Sequence, residues 1–170
     1  MERSIITQLA QWKEKENRKP LVLKGARQVG KTWTLKDFGR QYFKKTAYVT
    51  FFKNQRMKDV FEGDYDIERI LTNIGIECKL EVTPQDTLII FDEIQECPRA
   101  MESLKYFCKE HPEYAVCAAG SLLGIALHTG VSFPVGKVDT LEMYPLNARD
   151  GIGLTADTKA SVLQADEEAK

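Results

Sequence analysis

One stretch of eight residues, Gly25-Ala26-Arg27-Gln28-Val29-Gly30-Lys31-Thr32, constrains this chain more than any other. It fits the pattern G-x-x-x-x-G-K-S/T, and its surroundings are the ones that pattern needs. Leu21-Val22-Leu23 precedes it, a continuous apolar run of the kind found in strands buried on both faces. Leu35, Phe38 and Tyr42 follow at i, i+3 and i+7, so a helix starts as the loop ends. A glycine-bearing turn from a buried strand into a helix is a cradle for phosphate. Gly25 and Gly30 allow sharp turning and close approach, so the loop N–H groups, those of Ala26, Arg27, Gln28 and Val29 included, can meet phosphate oxygens. The helix adds the positive end of its dipole, Lys31 a point charge for the β- and γ-phosphates, and Thr32 a hydroxyl for Mg²⁺. Arg27 would either touch phosphate or hold the loop by pairing with an acid.

Such a loop needs a second element that supplies acids beside the metal. Thr87 to Phe91 is the most apolar strand signal in the chain and runs straight into Asp92-Glu93. The break in pattern after Glu93 puts both carboxylates at the strand's carboxyl end, where open α/β sheets bind ligands. Asp92 is expected to hold Mg²⁺, and Glu93 to orient and deprotonate an attacking water. Ser121 ends a further apolar run, Tyr114 to Ala119. Two readings stand for it: a hydroxyl near the γ-phosphate, or a cap for a helix starting at Leu122.

The remaining elements place these motifs. Ile5, Leu9 and Trp12 predict an amphipathic helix running into the charged stretch before Pro20. Ala47 to Phe52 is β-branched and aromatic, a strand; residues 53–64 are polar and carry no clear pattern. Ile67, Ile70, Leu71 and Ile74 form a helical face that Gly75 is expected to close. Met101, Leu104 and Cys108 define another helix, stopped before Pro112, and Val138 to Met143 reads as a fifth strand. Strands alternating with helices predict an α/β sandwich: a parallel sheet of about five strands with helices on both faces. Residues 146–170 contain no aromatic and end in QADEEAK, so they read as a weakly ordered tail beyond a domain over 1–145.

Composition narrows the function classes. With 24 lysines and arginines against 25 acids, the net charge of -1 gives no determinant for nucleic acid or for an anionic membrane. The N-terminus lacks the features of a signal peptide and no apolar run is long enough for a membrane span, so the cytosol is expected. Cys78, Cys97, Cys108 and Cys117 show no C-x-x-C pair and read as ordinary reduced thiols, and His111 and His128 have no evident partner. Arg99 reads as a solvated surface arginine, with reach to a neighbouring subunit as the alternative, and Phe51-Phe52 as core rather than a base-stacking platform.

GARQVGKT, then IIFDEIQECPRAMESLKYF, AAGSLLG and SFPVGKVDTLEMYPL together resemble the AAA-type ATPases of bacteria and archaea that carry a C-terminal domain of unknown function. The resemblance covers the N-terminal ATPase module, from about the first helix to Leu146. It implies an AAA+ type core, Lys31 and Thr32 at phosphate and metal, Asp92 and Glu93 as the Walker B pair, and Ser121 near the sensor-1 position. It also suggests assembly, with further copies or with another protein. Past Leu146 the sequence departs from the family's pattern and no lid follows, which reads as a truncated or frame-shifted member; Lys137 is given no catalytic role. The leading expectation is Mg²⁺-dependent ATP binding with hydrolysis. The alternative is a nucleotide-dependent interaction module, or a degenerate fragment, with little or no turnover. No N-K-x-D segment supports guanine.

Overall fold

A computed structural model describes residues 4–26, 29–121 and 134–144. In chain order the elements are α1 (Ile5–Lys13), β1 (Leu21–Gly25), α2 (Lys31–Tyr42), β2 (Lys45–Thr50), α3 (Gln55–Val60), α4 (Ile67–Cys78), β3 (Thr87–Asp92), a short 3₁₀ turn (Ile94–Glu96), α5 (Pro98–Glu110), β4 (Ala115–Ser121) and β5 (Asp139–Met143). The strands form one sheet in the order β2-β3-β4-β1-β5. Every pairing in it is parallel, as the strand-helix alternation predicts.

Alternation along each strand divides the apolar side chains between two cores. Leu21 and Leu23 of β1, Leu88 and Ile90 of β3 and Cys117 of β4 face one side, where α1 and α2 cover them with Leu9, Trp12, Leu35 and Phe38. Val22, Ile89, Phe91, Val116 and Ala118 face the other, under α4 and α5. All six residues of β3 are buried, which explains its unbroken apolar run. Phe51, Phe61 and Phe91 pack edge to face with ring centroids 5.5–5.7 Å apart, and Phe107 extends the group from α5.

The structure differs from the sequence reading at several element ends. α1 stops at Lys13 instead of running on toward Pro20, and the chain folds back so that Trp12 Nε1 donates to the Lys19 carbonyl at 2.8 Å. β2 begins at Lys45 and ends at Thr50, opposite Asp92, so Phe51 enters the core while Phe52 is 54% exposed. Gly75 does not close α4. The helix continues to Cys78 and ends with Lys79 in the left-handed region, Lys79 N–H donating to Ile76 O and Leu80 N–H to Gly75 O. Gly75 is small because the chain wraps over it: a Cβ there would sit 2.8 Å from the Leu80 carbonyl oxygen. In the unpatterned stretch, Asn54 caps α3 by accepting from Met57 N–H, and Met57 and Phe61 are buried.

Candidate nucleotide-binding site

The carboxyl ends of β1, β4, β3 and β2 lie side by side, in register: Gly25 is opposite Ser121, and Thr50 is opposite Asp92. The sequence reading of Ser121 turns on whether its strand neighbours the first, and β4 does pair with β1. The alternative cap at Leu122 lies outside the described residues.

The two loop glycines serve different ends. Gly30 has φ 95° and no atom of the described residues near an added Cβ, so its need is conformational. Gly25 has no positive φ; a Cβ there would sit 2.8 Å from the Met143 carbonyl oxygen of β5 and 3.2 Å from Val29 Cγ2. Its absence lets β5 and the loop pass close together. Arg27 and Gln28 lie outside the described residues.

At the start of α2, Gly30 supplies no side-chain cap and the first turn contains no acid. A helix start of this kind presents its N–H groups and the positive end of its dipole to an anion. Lys31 Nζ bends back to donate to the carbonyls of Gly25, at 3.0 Å, and Ala26, at 2.7 Å. The ammonium is thereby held at the loop and not splayed into solvent.

Packing of α2 on the Leu88–Ile90 face brings its first turn to the end of β3. Asp92 continues that face and is 5% exposed. One of its oxygens, Oδ2, accepts from Thr32 Oγ1 at 2.8 Å and from Tyr48 OH at 2.5 Å. The other, Oδ1, accepts from the Glu93 N–H at 2.9 Å. Burial pushes the Tyr48 phenol above its ordinary range, and the bond to Asp92 pushes it further in the same direction. Lys36 Nζ lies 3.9 Å over the Tyr48 ring. A hydroxyl and a carboxylate meeting here form an all-oxygen donor set, which suits Mg²⁺.

Glu93 follows with φ 54° and ψ 48°, and its Oε1 accepts from Gln95 Nε2 at 2.7 Å. Lys31, Thr32, Asp92 and Glu93, read from two separate motifs, thus come together at one sheet edge. A family profile described as an AAA domain matches residues 17–151. The chain belongs to the AAA domain family. This AAA domain is also similar in fold to three larger solved assemblies. They are the Orc1 protein of Aeropyrum pernix in complex with DNA (15% identity, TM-score 0.48) and Drosophila ORC with Cdc6 on GC-rich DNA (13%, 0.50) and on AT-rich DNA (13%, 0.49). The matches cover 82%, 92% and 90% of this chain but only 42%, 62% and 59% of those chains. No curated protein matches significantly.

Two sequence readings are corrected. The expectation of no nucleic-acid determinant does not stand, because the similar Drosophila structure with Cdc6 on GC-rich DNA is of a protein bound to DNA. It rested on the net charge of the chain, whereas DNA is met by a local arrangement of charge that a total cannot reveal. Arg99 is not a freely solvated arginine either. It donates to the carbonyls of Phe61, at 2.7 Å, and Gly63, at 3.3 Å, and lies 4.9 Å from the Tyr65 ring, anchoring that loop to α5.

Tyr48 and Gln95 are the residues that the sequence reading missed. Tyr48 looks like one more aromatic in a strand until the register with β3 is known; two positions before Thr50, it shares the Asp92 face. Gln95 is a polar residue of a short turn, between Ile94 and the exposed Glu96, and its burial shows only in the fold.

Proposed function

We propose that this AAA domain binds ATP with Mg²⁺ at the carboxyl edge of its sheet and hydrolyses it. The loop from Gly25 to Thr32, Arg27 and Gln28 included, would wrap the phosphates with its N–H groups, and Lys31 would release the Gly25 and Ala26 carbonyls to meet the β- and γ-phosphates. Thr32 and Asp92 would hold Mg²⁺, which supplies charge neutralisation at the phosphate oxygens when bound. Glu93 would accept the proton of the attacking water, and Ser121 would lie near the γ-phosphate. The single observation that carries this reading is the 2.8 Å hydrogen bond between Thr32 Oγ1 and Asp92 Oδ2. It joins the two motifs through the pair of groups that a magnesium site needs, with Glu93 adjacent.

Phosphate release and ATP binding, measured together, test the proposal. Lys31→Ala is expected to lose ATP binding. Glu93→Gln is expected to keep binding while release falls about 100-fold or more, the scale of a lost general base. Wild type that binds ATP without releasing phosphate above background would replace hydrolysis with the second reading, a nucleotide-dependent interaction module. That reading draws support from the fold's occurrence in the multi-protein Drosophila assembly with Cdc6. A nucleic-acid partner belongs with it, and adding duplex DNA to the same assay tests for one. A domain over 1–145 with 146–170 apart, a homo-oligomeric or protein partner, and a cytoplasmic location complete the proposal. For location, the supporting observation is that no helix among the described residues is long and apolar enough to cross a membrane.

A further inference from the structure

Residues 93 to 95 combine two features that work against stability. Glu93 sits in the left-handed region, at φ 54°, which residues with a side chain seldom occupy. Gln95 is 5% exposed, and its carbonyl oxygen Oε1 has no hydrogen-bond partner among the described residues. Buried polar atoms are nearly always satisfied, so an orphan calls for an explanation. The nitrogen of the same amide is used: Gln95 Nε2 donates to Glu93 Oε1 at 2.7 Å. Around the pair the backbone is fixed. Glu96 N–H donates to the Glu93 carbonyl at 2.9 Å and Cys97 N–H to the Ile94 carbonyl at 3.0 Å, while Ile94 and Cys97 are buried in the core. If Gln95 served packing alone, an apolar side chain of its size would fill the space without stranding a carbonyl.

We propose that Gln95 is the positioning residue for Glu93: its buried amide engages Oε1, fixes the carboxylate's last torsion, and leaves Oε2 to take the proton of the attacking water. This rests on the reading of Glu93 as the water-activating group. In the step it serves, the water oxygen bonds the γ-phosphorus as the bond to the β–γ bridging oxygen breaks. That oxygen leaves on ADP with the electron pair, the water proton passes to Glu93 Oε2, and Glu93 later returns it to solvent. A carboxylate free to turn about a broad sp²–sp³ torsion presents the right oxygen only part of the time, and the Gln95 amide removes that freedom.

The test compares wild type with Gln95→Met, Gln95→Leu and Glu93→Gln in the full chain, reading kcat and KM for phosphate release together with thermal midpoints. Both apolar variants remove the donor and the orphaned carbonyl together. Expected is a kcat lower by about tenfold or more, in line with misplacement of a reacting group, with KM within about twofold. The thermal midpoint is expected to be unchanged or higher. Unchanged kcat with a lower midpoint would make Gln95 a packing residue, and a raised kcat would make it a brake; either overturns the proposal. If Glu93→Gln turns over like wild type, or wild type itself does not turn over, the reading of Glu93 falls first and the proposal with it. Failure of the proposal alone is distinct: Glu93→Gln inactive while Gln95→Met and Gln95→Leu turn over like wild type.

Discussion

Trp33 is 66% exposed one residue beyond Thr32, in the first turn of α2, while the other of the chain's two tryptophans, Trp12, is 5% exposed on the buried face of α1. Few large apolar side chains stand so far into solvent beside a polar site. Under the proposed function its indole lies next to the phosphates, so Mg-ATP is expected to give a saturable change in tryptophan emission. Trp33→Phe should abolish the change while ATP, followed calorimetrically, still binds within a few-fold of wild type. A signal that survives in Trp33→Phe would assign it to Trp12 and to a wider rearrangement. The candidate site residues were legible unevenly at this scale. Lys31, Thr32, Asp92 and Glu93 stand in short patterns whose chemistry requires them. Tyr48 and Gln95 meet Asp92 and Glu93 through strand register and a local turn, and neither contact can be read from spacing along the chain.

At the scale of elements, the end of α4 offers a clean stability test. Lys79 is exposed and holds φ 59°, the position in this helix-ending motif where glycine carries no steric penalty. Lys79→Gly is expected to raise stability by about 0.5–1 kcal/mol, read as a higher urea midpoint at unchanged slope. A lower midpoint would mean that the lysine side chain contributes more than its backbone costs. The same helix shows how element existence is easier to read than element ends. Its apolar face, Ile67 to Ile74, was plain from the 3.6-residue period, but Gly75 looked like a stop when it is a point of close approach. Gly39 is of the same kind: a Cβ on it would overlap Thr46 Oγ1, where α2 packs down on β2. Glycine marks both turns and tight packing, and only the neighbours distinguish them.

For the whole molecule, the buried thiols set an alkaline limit. Burial pushes Cys117 and Cys97 above the ordinary thiol range and Cys78 to about 11. In the unfolded chain these groups ionise near pH ~8.5, so above that the unfolded state holds fewer protons than the native one. Their contribution is therefore complete below about pH 8.5 and is lost as the pH rises toward the native pKa values, at about 1.4 kcal/mol per pH unit for each fully buried group. Urea midpoints are expected to fall between about pH 8.5 and 10, and Cys117→Ala should make that fall shallower. An unchanged pH slope in Cys117→Ala would remove Cys117 from the account. The parallel α/β architecture itself was legible, because strand and helix signals alternate throughout. The strand order was not, since it depends on which distant segments pair.

That order has a consequence for synthesis. β1 pairs only with β4 and β5, so Leu21 waits for Cys117 and Asp139, whereas β2 and β3 can join as soon as β3 has emerged. Non-local parallel pairing is slow, and an unpaired apolar strand is prone to stick to others like it. On the ribosome, the strand leading into the phosphate loop is made well before either of the strands it pairs with. Leu21-Val22-Leu23 is therefore a segment of the nascent chain that calls for protection by a chaperone.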